Sequence, residues 1–271
     1  MNGLNFKSDV LVMGVLNVTP DSFFDGGRYA SHNNAIEQAL GMQEAGADII
    51  DIGGESTRPG AAPVSVEEEI RRVVPVIKAI RQHSQIKISV DSSKPEVMRQ
   101  SVAAGADFIN DVRALCEPGA MKAAVELNVP VCLMHMQGQP DYMQDKPRYS
   151  VVVDEVLAFL LARVQRCQIA GIKKENIWLD PGFGFGKSLE HNLSLLKHLS
   201  VFSEQGYPVL VGMSRKSMIG AILDVPVEER LAGSLALAGI AVMNGASIIR
   251  AHDVKETKHI VKICRAVKQA E

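Results

Sequence analysis

Asn176-Ile-Trp-Leu-Asp180-Pro-Gly-Phe-Gly-Phe-Gly-Lys187-Ser188 ends a short apolar run on a carboxylate, then breaks into proline and three alternating glycines. That is a buried strand handing over to a loop, with one acid left at the strand's end. It is no phosphate cradle: a P-loop needs glycine five residues before Gly-Lys-Ser, where Pro181 stands. Nor is it a dinucleotide fingerprint, whose third glycine would fall on Lys187. The glycines instead let the backbone approach a flat ligand or turn tightly, and Asp180 faces whatever lies over the loop.

Seven further apolar runs end on polar residues: Asn17, Asp51, Asp91, Asn110 with Asp111, His135, Ser214 with Arg215, and Arg250 with His252. The carboxylates of Asp91 and Asp180 with the amide of Asn110 suit a ligand carrying adjacent N–H donors and ring acceptors, such as a nucleobase or pterin edge. A buried acceptor cluster needs a donor-rich partner of that kind. Asp51 and Asp111 read equally well as helix caps, and His135 as a packed core histidine. The cations Arg58, Arg215, Lys216, Arg250 and His252 sit at or just past run ends. Singly, each reads as a solvated surface charge. Converging with Asn17, Ser56 and Thr57, they suggest an anionic group, a phosphate or diphosphate. The planar guanidinium of Arg250 could instead stack on a flat ring. The amide oxygen of Asn17 could ligate Mg²⁺, which takes few protein ligands when phosphate supplies the rest. Neither a serine elbow nor a Cys–His pattern supplies a nucleophile.

Eight runs ending in chemistry, with helical stretches between them, predict an α/β protein of the (β/α)8 TIM-barrel type, its active site at the carboxyl ends of the strands. The runs are Val10–Val18, Asp48–Glu55, Lys87–Asp91, Phe108–Val112, Pro130–Met136, the stretch around Trp178, Pro208–Met213 and Ala246–His252. Helices are expected over Ala35–Ala45, after a Ser65–Glu68 capping box, from Pro95, over Val151–Ala170 and over Lys255–Val267. Gly46-Ala-Asp-Ile-Ile, Gly105-Ala-Asp-Phe-Ile and Gly245-Ala-Ser-Ile-Ile repeat one helix-to-strand junction, as a repeated βα unit would. A doubly wound open sheet shows the same alternation. Eight units without a glycine-rich fingerprint after the first strand favour the closed barrel.

The chain has 271 residues, 46% hydrophobic and 22% charged, which fits one domain over 1–271. A formal net charge of -2 gives no electrostatic argument for nucleic acid or an anionic membrane. No signal segment is expected, and Val10–Leu16 is too short to span a bilayer. Cys116, Cys132, Cys167 and Cys264 lack metal-like or redox spacing and read as free thiols of a cytoplasmic enzyme.

Five stretches together resemble bacterial dihydropteroate synthase, of the pterin-binding enzyme family: Asn17-Val-Thr-Pro-Asp-Ser-Phe, Asp51-Ile-Gly-Gly-Glu-Ser-Thr-Arg-Pro-Gly60, Ser89-Val-Asp-Ser-Ser-Lys-Pro, Asp180-Pro-Gly-Phe-Gly-Phe-Gly-Lys and Gly212-Met-Ser-Arg-Lys-Ser. The resemblance runs to Arg250-Ala-His252 and implies a βα barrel that joins 4-aminobenzoate to dihydropterin diphosphate, with Mg²⁺, in folate synthesis. It implies that Asp91, Asn110, Asp180 and Lys216 meet the pterin edge, with Arg250 beneath the ring and Asn17 on the metal side. It implies diphosphate contacts from Thr57, Arg250 and His252. The loops after the first two strands, carrying Arg58 and Pro59, would frame the aminobenzoate with Phe185, Lys216 and Ser217. Asp91, Lys216, Arg250 and Arg58 are then the expected catalytic groups. Phe24 departs from the family pattern, standing where serine is common. Two other readings are a methyltetrahydrofolate-binding methyltransferase and a pterin-binding module without catalysis. A homodimer is compatible with all of them.

Overall fold

The computed structural model describes residues 9–18, 27–56, 63–138, 143 and 147–270, of 27–33 the backbone only. The chain alternates β1 (Leu11–Asn17), α1 (Gly27–Glu44), β2 (Ile49–Gly53), α2 (Val66–His83), β3 (Lys87–Asp91), α3 (Pro95–Ala103), β4 (Phe108–Asp111), α4 (Ala120–Leu127), β5 (Val131–Met134), α5 (Val152–Ile169) and β6 (Ile177–Asp180). It continues through α6 (Leu189–Lys197), α7 (Ser200–Ser203), β7 (Leu210–Val211), α8 (Ser217–Leu223), α9 (Leu231–Met243), β8 (Ile248–Ala251) and α10 (Val254–Gln269). All strand pairings are parallel, in the order β6-β5-β4-β3-β2-β1-β8-β7. A parallel bridge from Leu179 to Val209 joins the two ends. The sheet is therefore a (β/α)8 barrel and not an open doubly wound sheet.

Side chains alternate across each strand, so residues two apart share a face. Leu11, Met13, Ile49, Phe108, Cys132, Trp178, Leu210 and Ile248 form one buried cluster, the apolar plug inside the barrel. Phe108 and Trp178 touch there, with ring centroids 4.8 Å apart. The intervening residues, such as Val12, Ile50, Ile88, Ile109, Leu133 and Leu179, belong to the second core, between strands and helices. Two residues beyond the plug, on the same face, stand Asp51 after Ile49, Asn110 after Phe108, Asp180 after Trp178 and Arg250 after Ile248. Most strands are apolar on both faces until their carboxyl ends, where the inner face turns polar; β4 also ends on the outward Asp111.

The repeated junction is what its sequence suggests: Gly46, Gly105 and Gly245 take φ of 98°, 117° and 100°, where a Cβ is unfavourable. Ser65 caps α2, its hydroxyl accepting from the Glu68 N–H at 3.2 Å. The expected box is only half formed, because the Glu68 carboxylate turns to Arg72 at 2.8 Å. A complete capping box occurs instead at Ser188 and His191.

The amino end of the barrel is closed by ion pairs. The Asp48 carboxylate accepts from the Val12 N–H at 2.8 Å and from Lys258 Nζ at 2.6 Å, tying α10 to the start of β2. Both side chains are partly exposed, so Lys258→Met should cost about 1 kcal/mol in urea unfolding, with turnover unchanged. An unchanged midpoint would mean the pair contributes nothing.

Candidate active site

Strand register lays the polar residues in rows. Asn17 of β1 is level with Gly53 of β2, Gly53 with Asp91 of β3, and Asp91 with Asn110 of β4. Gly53 leaves the middle of this row without a side chain. A Cβ built there would lie 3.7 Å from Asn17 Oδ1 and 3.8 Å from Asp91 Oδ2. Two oxygen atoms thus flank one small space at the rim.

Beneath the row, Arg250 of β8 lies across the barrel. Its Nε donates to Asp51 Oδ2 at 2.7 Å, and its Nη2 to Asp91 Oδ2 at 3.1 Å. Asn110 Nδ2 donates to the same Asp51 oxygen at 3.0 Å. Asp51 is wholly buried, and among the described residues its Oδ1 has no hydrogen-bond partner, nor has the Ser89 hydroxyl beside it in register. One guanidinium cannot balance two buried carboxylates. Burial first, then the Asp51 charge, pushes Asp91 up to about 8 against the pull of Arg250.

The β6 loop supplies the opposite wall. Asp180 Oδ1 accepts the Gly182 N–H at 2.7 Å. Burial raises its carboxyl above the usual range, opposed by that bond and by Lys216, Lys187 and Arg250. Lys216, at the head of α8, donates Nζ to the Phe183 carbonyl and lies 4.5 Å from the centre of the Phe185 ring. Burial lowers it to about 8, with Asp180 and Asp91 acting the other way. Ser217, exposed, begins α8 next to it. The loop glycines do not chiefly admit a ligand. A Cβ on Gly182 would overlap the His135 carbonyl, and one on Gly186 the Gln137 carbonyl, so these glycines let the loop lie on the end of β5.

Asn17, Asp91, Asn110, Asp180, Phe185, Lys216, Ser217, Arg250 and His252 all lie at the carboxyl ends of the strands or in the segments directly after them. His252 faces Ser214, its Nδ1 3.1 Å from Oγ. Thr57, Arg58, Pro59 and Phe24 lie outside the described residues. Arg215 does not join the cationic group as expected: its guanidinium pairs twice with Asp253, at 2.9 and 2.6 Å. Asp111 organises the turn after β4, accepting the N–H groups of Arg113 and Leu115 at 2.8 Å each. His135 is a packed histidine, 5.0 Å edge-on to Phe159 and lowered to about 3 by burial and by Lys187. Asp51 is no helix cap: it sits inside β2 and holds Arg250. Its place two residues after Ile49 on one strand face is the signal that could have assigned it. Lys187 also went unassigned, and only its buried partners reveal its place.

A barrel whose open end gathers carboxylates, an amide, a lysine and an arginine has the chemistry to take a flat heterocycle such as a pterin or a nucleobase. The family model of the pterin binding enzymes matches residues 13–252. The dihydropteroate synthase of Escherichia coli K12 is 58% identical over 260 residues, 96% of this chain and 92% of that protein. That of Haemophilus influenzae is 56% identical over 259 residues, 96% and 94% of the two chains. A Yersinia pestis dihydropteroate synthase in a sulfonamide drug complex superposes with TM-score 0.94 at 53% identity, covering 98% of this chain and 97% of that one. The Xanthomonas albilineans enzyme with 7,8-dihydropteroate gives 0.90 at 45% identity, covering 99% and 97%. The chain belongs to the pterin-binding enzyme family, among its dihydropteroate synthases.

The two carboxylates beside Arg250 provide a test. Asp51→Asn keeps the shape and an oxygen for Arg250 but removes the like charge, so the Asp91 midpoint should fall, as read by carboxyl NMR titration. The folded value lies above the unfolded 3.8, so Asp91 favours folding less as pH rises from about 4 to about 8. Asp51→Asn should therefore flatten the loss of stability across that window. An unmoved Asp91 midpoint would show that burial alone sets it.

Proposed function

We infer that this chain condenses 4-aminobenzoate with (7,8-dihydropterin-6-yl)methyl diphosphate to give 7,8-dihydropteroate and diphosphate, a transfer of a non-methyl alkyl group in folate synthesis. The observation that carries the residue roles is the paired set of acceptors and donors around the barrel mouth: Asp91, Asp180 and Asn110 with Lys216 and Arg250. The N–H-rich edge of a pterin meets the carboxylates, and Lys216 and the Asn110 amide meet its ring acceptors. The flat guanidinium of Arg250, fixed by Asp51, lies where it can stack under the ring. Sharing the pocket, Arg250 and His252 take the diphosphate with Thr57. Arg58 and Pro59 frame the aminobenzoate with Phe185, Lys216 and Ser217. The whole chain acts as one domain.

The mechanism is a dissociative displacement at the pterin methylene carbon. The C–O bond to the diphosphate breaks first, and the electron pair leaves with the phosphate oxygen. The resulting exocyclic methylene cation is delocalised into the pterin, beside the carboxylates of Asp91 and Asp180. Arg250 holds the departing charge in a low-dielectric pocket, where a fixed cation acts most strongly. The arylamine lone pair then forms the C–N bond, and the nitrogen loses its proton. Positioning by Phe185, Lys216 and Arg58 makes this second step effectively intramolecular.

Mg²⁺ fits this site. Among the described residues no group of three His, Cys, Asp or Glu side chains could cage a metal. Asn17 and Asp91 present hard oxygens across the space over Gly53, the small protein share expected of an ion that takes its other ligands from phosphate. When bound, the ion would offset charge on the leaving diphosphate. The relatives' identities give the methyltransferase and non-catalytic readings no support. A cytoplasmic setting agrees with the free cysteines, and no described helix is long and apolar enough to cross a membrane. A homodimer agrees with Ile240 and Met243 exposed on α9 and Ile263 and Val267 on α10.

Release of diphosphate only when 4-aminobenzoate and the dihydropterin diphosphate are both present, with dihydropteroate formed, is the direct assay. Asp180→Ala should weaken free pterin by ~10- to 100-fold in calorimetry, the loss of a charged hydrogen bond. Full affinity in a folded variant would remove Asp180 from the pterin site. Asn17→Ala should raise the Mg²⁺ needed for half-maximal rate while sparing free pterin. An unaltered requirement assigns Asn17 to the scaffold. Arg58→Ala should keep pterin affinity but lower kcat sharply and weaken aminobenzoate. Pterin loss as severe as in Asp180→Ala would make loop and strand ends one rigid site.

A further inference from the structure

The Gly-Lys-Ser that ends the β6 loop binds no phosphate by spacing, yet its lysine is almost fully buried. Lys187 Nζ lies 2.8 Å from the Gly182 carbonyl, 3.0 Å from the Phe185 carbonyl and 3.0 Å from His135 Nδ1, with the His135 carbonyl at 3.3 Å. The three shortest contacts match the three N–H bonds of an ammonium. Neutral His135 offers Nδ1 as acceptor. We propose that Lys187 is a positioning residue, which pins the β6 loop to the end of β5 and so sets Asp180 and Lys216 for the substrates. This rests on the synthase reading for what those two groups bind.

The geometry behind it is a chain of contacts. Gly182 gives its N–H to Asp180 and its carbonyl to Lys187, so one residue ties the two together. Phe183 and Phe185, on either side of Gly184, provide the carbonyl and the ring that hold Lys216. A Cβ on Gly184 would press on Lys216 Cδ at 3.2 Å. The loop is fastened at two further points. The Asn192 side chain accepts the Gly184 N–H at 2.8 Å, and the Tyr149 hydroxyl donates to the Gly186 carbonyl at 2.9 Å. Burial is the main force on Lys187, pulling it down to about 7, with Lys216 adding to the fall and Asp180 resisting. A charge kept there against its desolvation is held by the carbonyls it orders.

Lys187→Met keeps the volume and removes the donors. It should weaken free pterin by ~10-fold or more in calorimetry and raise the KM for 4-aminobenzoate. Lys258→Met, destabilised at the far end of the barrel, should leave both unchanged. That contrast separates positioning from stability. If Lys187→Met fails to fold, Tyr149→Phe removes one bond from the same loop and should move both quantities the same way, by ~2- to 5-fold. Normal pterin affinity and KM in the folded variants, or equal losses in Lys258→Met, would overturn the proposal. Absence of diphosphate release from the wild type would overturn the synthase reading instead, and pterin affinity would still decide the role of Lys187.

Discussion

The constraint on which the site depends is the clamping of the partly buried Arg250 between Asp51 and Asp91. A guanidinium largely withdrawn from water needs acceptors, because desolvation without them is costly. β8 brings the cation, β2 and β3 bring the carboxylates, and β4 adds the Asn110 amide to the same Asp51 oxygen. Four strands must therefore be in register before the whole set of bonds is made. The plug of Met13, Ile49, Phe108, Trp178 and Ile248 below supplies the apolar area that makes this register stable.

Formally the charges are balanced, Asp51, Asp91 and Asp180 against Arg250, Lys216 and Lys187. The titrations of Asp91, Asp180, Lys216 and Arg250 are linked through one another's charges. Burial raises Asp91 and Asp180 and lowers Lys187 and Lys216, so each leans towards its uncharged form. Such a pocket accepts a ligand with donors on one edge and a strongly negative tail. It can do so without the tail being repelled by a fixed excess of carboxylate.

The β6 loop shows how backbone, not side chains, carries part of the chemistry. Its glycines take left-handed φ of 72°, 80° and 61° at Gly182, Gly184 and Gly186, and two of them touch the carbonyls of the β5 end. Close packing against β5 makes the loop a wall. The carbonyl of Phe183 then becomes a fixed acceptor for Lys216.

The sequence by itself determined the repeat and the polar strand ends. Apolar runs that end on polar residues and the glycine junctions are local, and local rules place Asp91, Asn110, Asp180 and Arg250 on one rim. Motif spacing alone also excluded a P-loop at Lys187. Only the tertiary structure decided which charges meet. Asp51 and Arg250 are 199 residues apart and bond through the barrel interior, while Arg215, equally cationic in sequence, is taken by Asp253. Sequence spacing cannot distinguish these two arginines, because partner choice depends on barrel closure and on the register between β7, β8 and β2. The same holds for the glycines of the β6 loop. Their need for backbone freedom was legible, but the neighbour requiring it, the end of β5, is set by the packing of two strands that the chain joins only through α5.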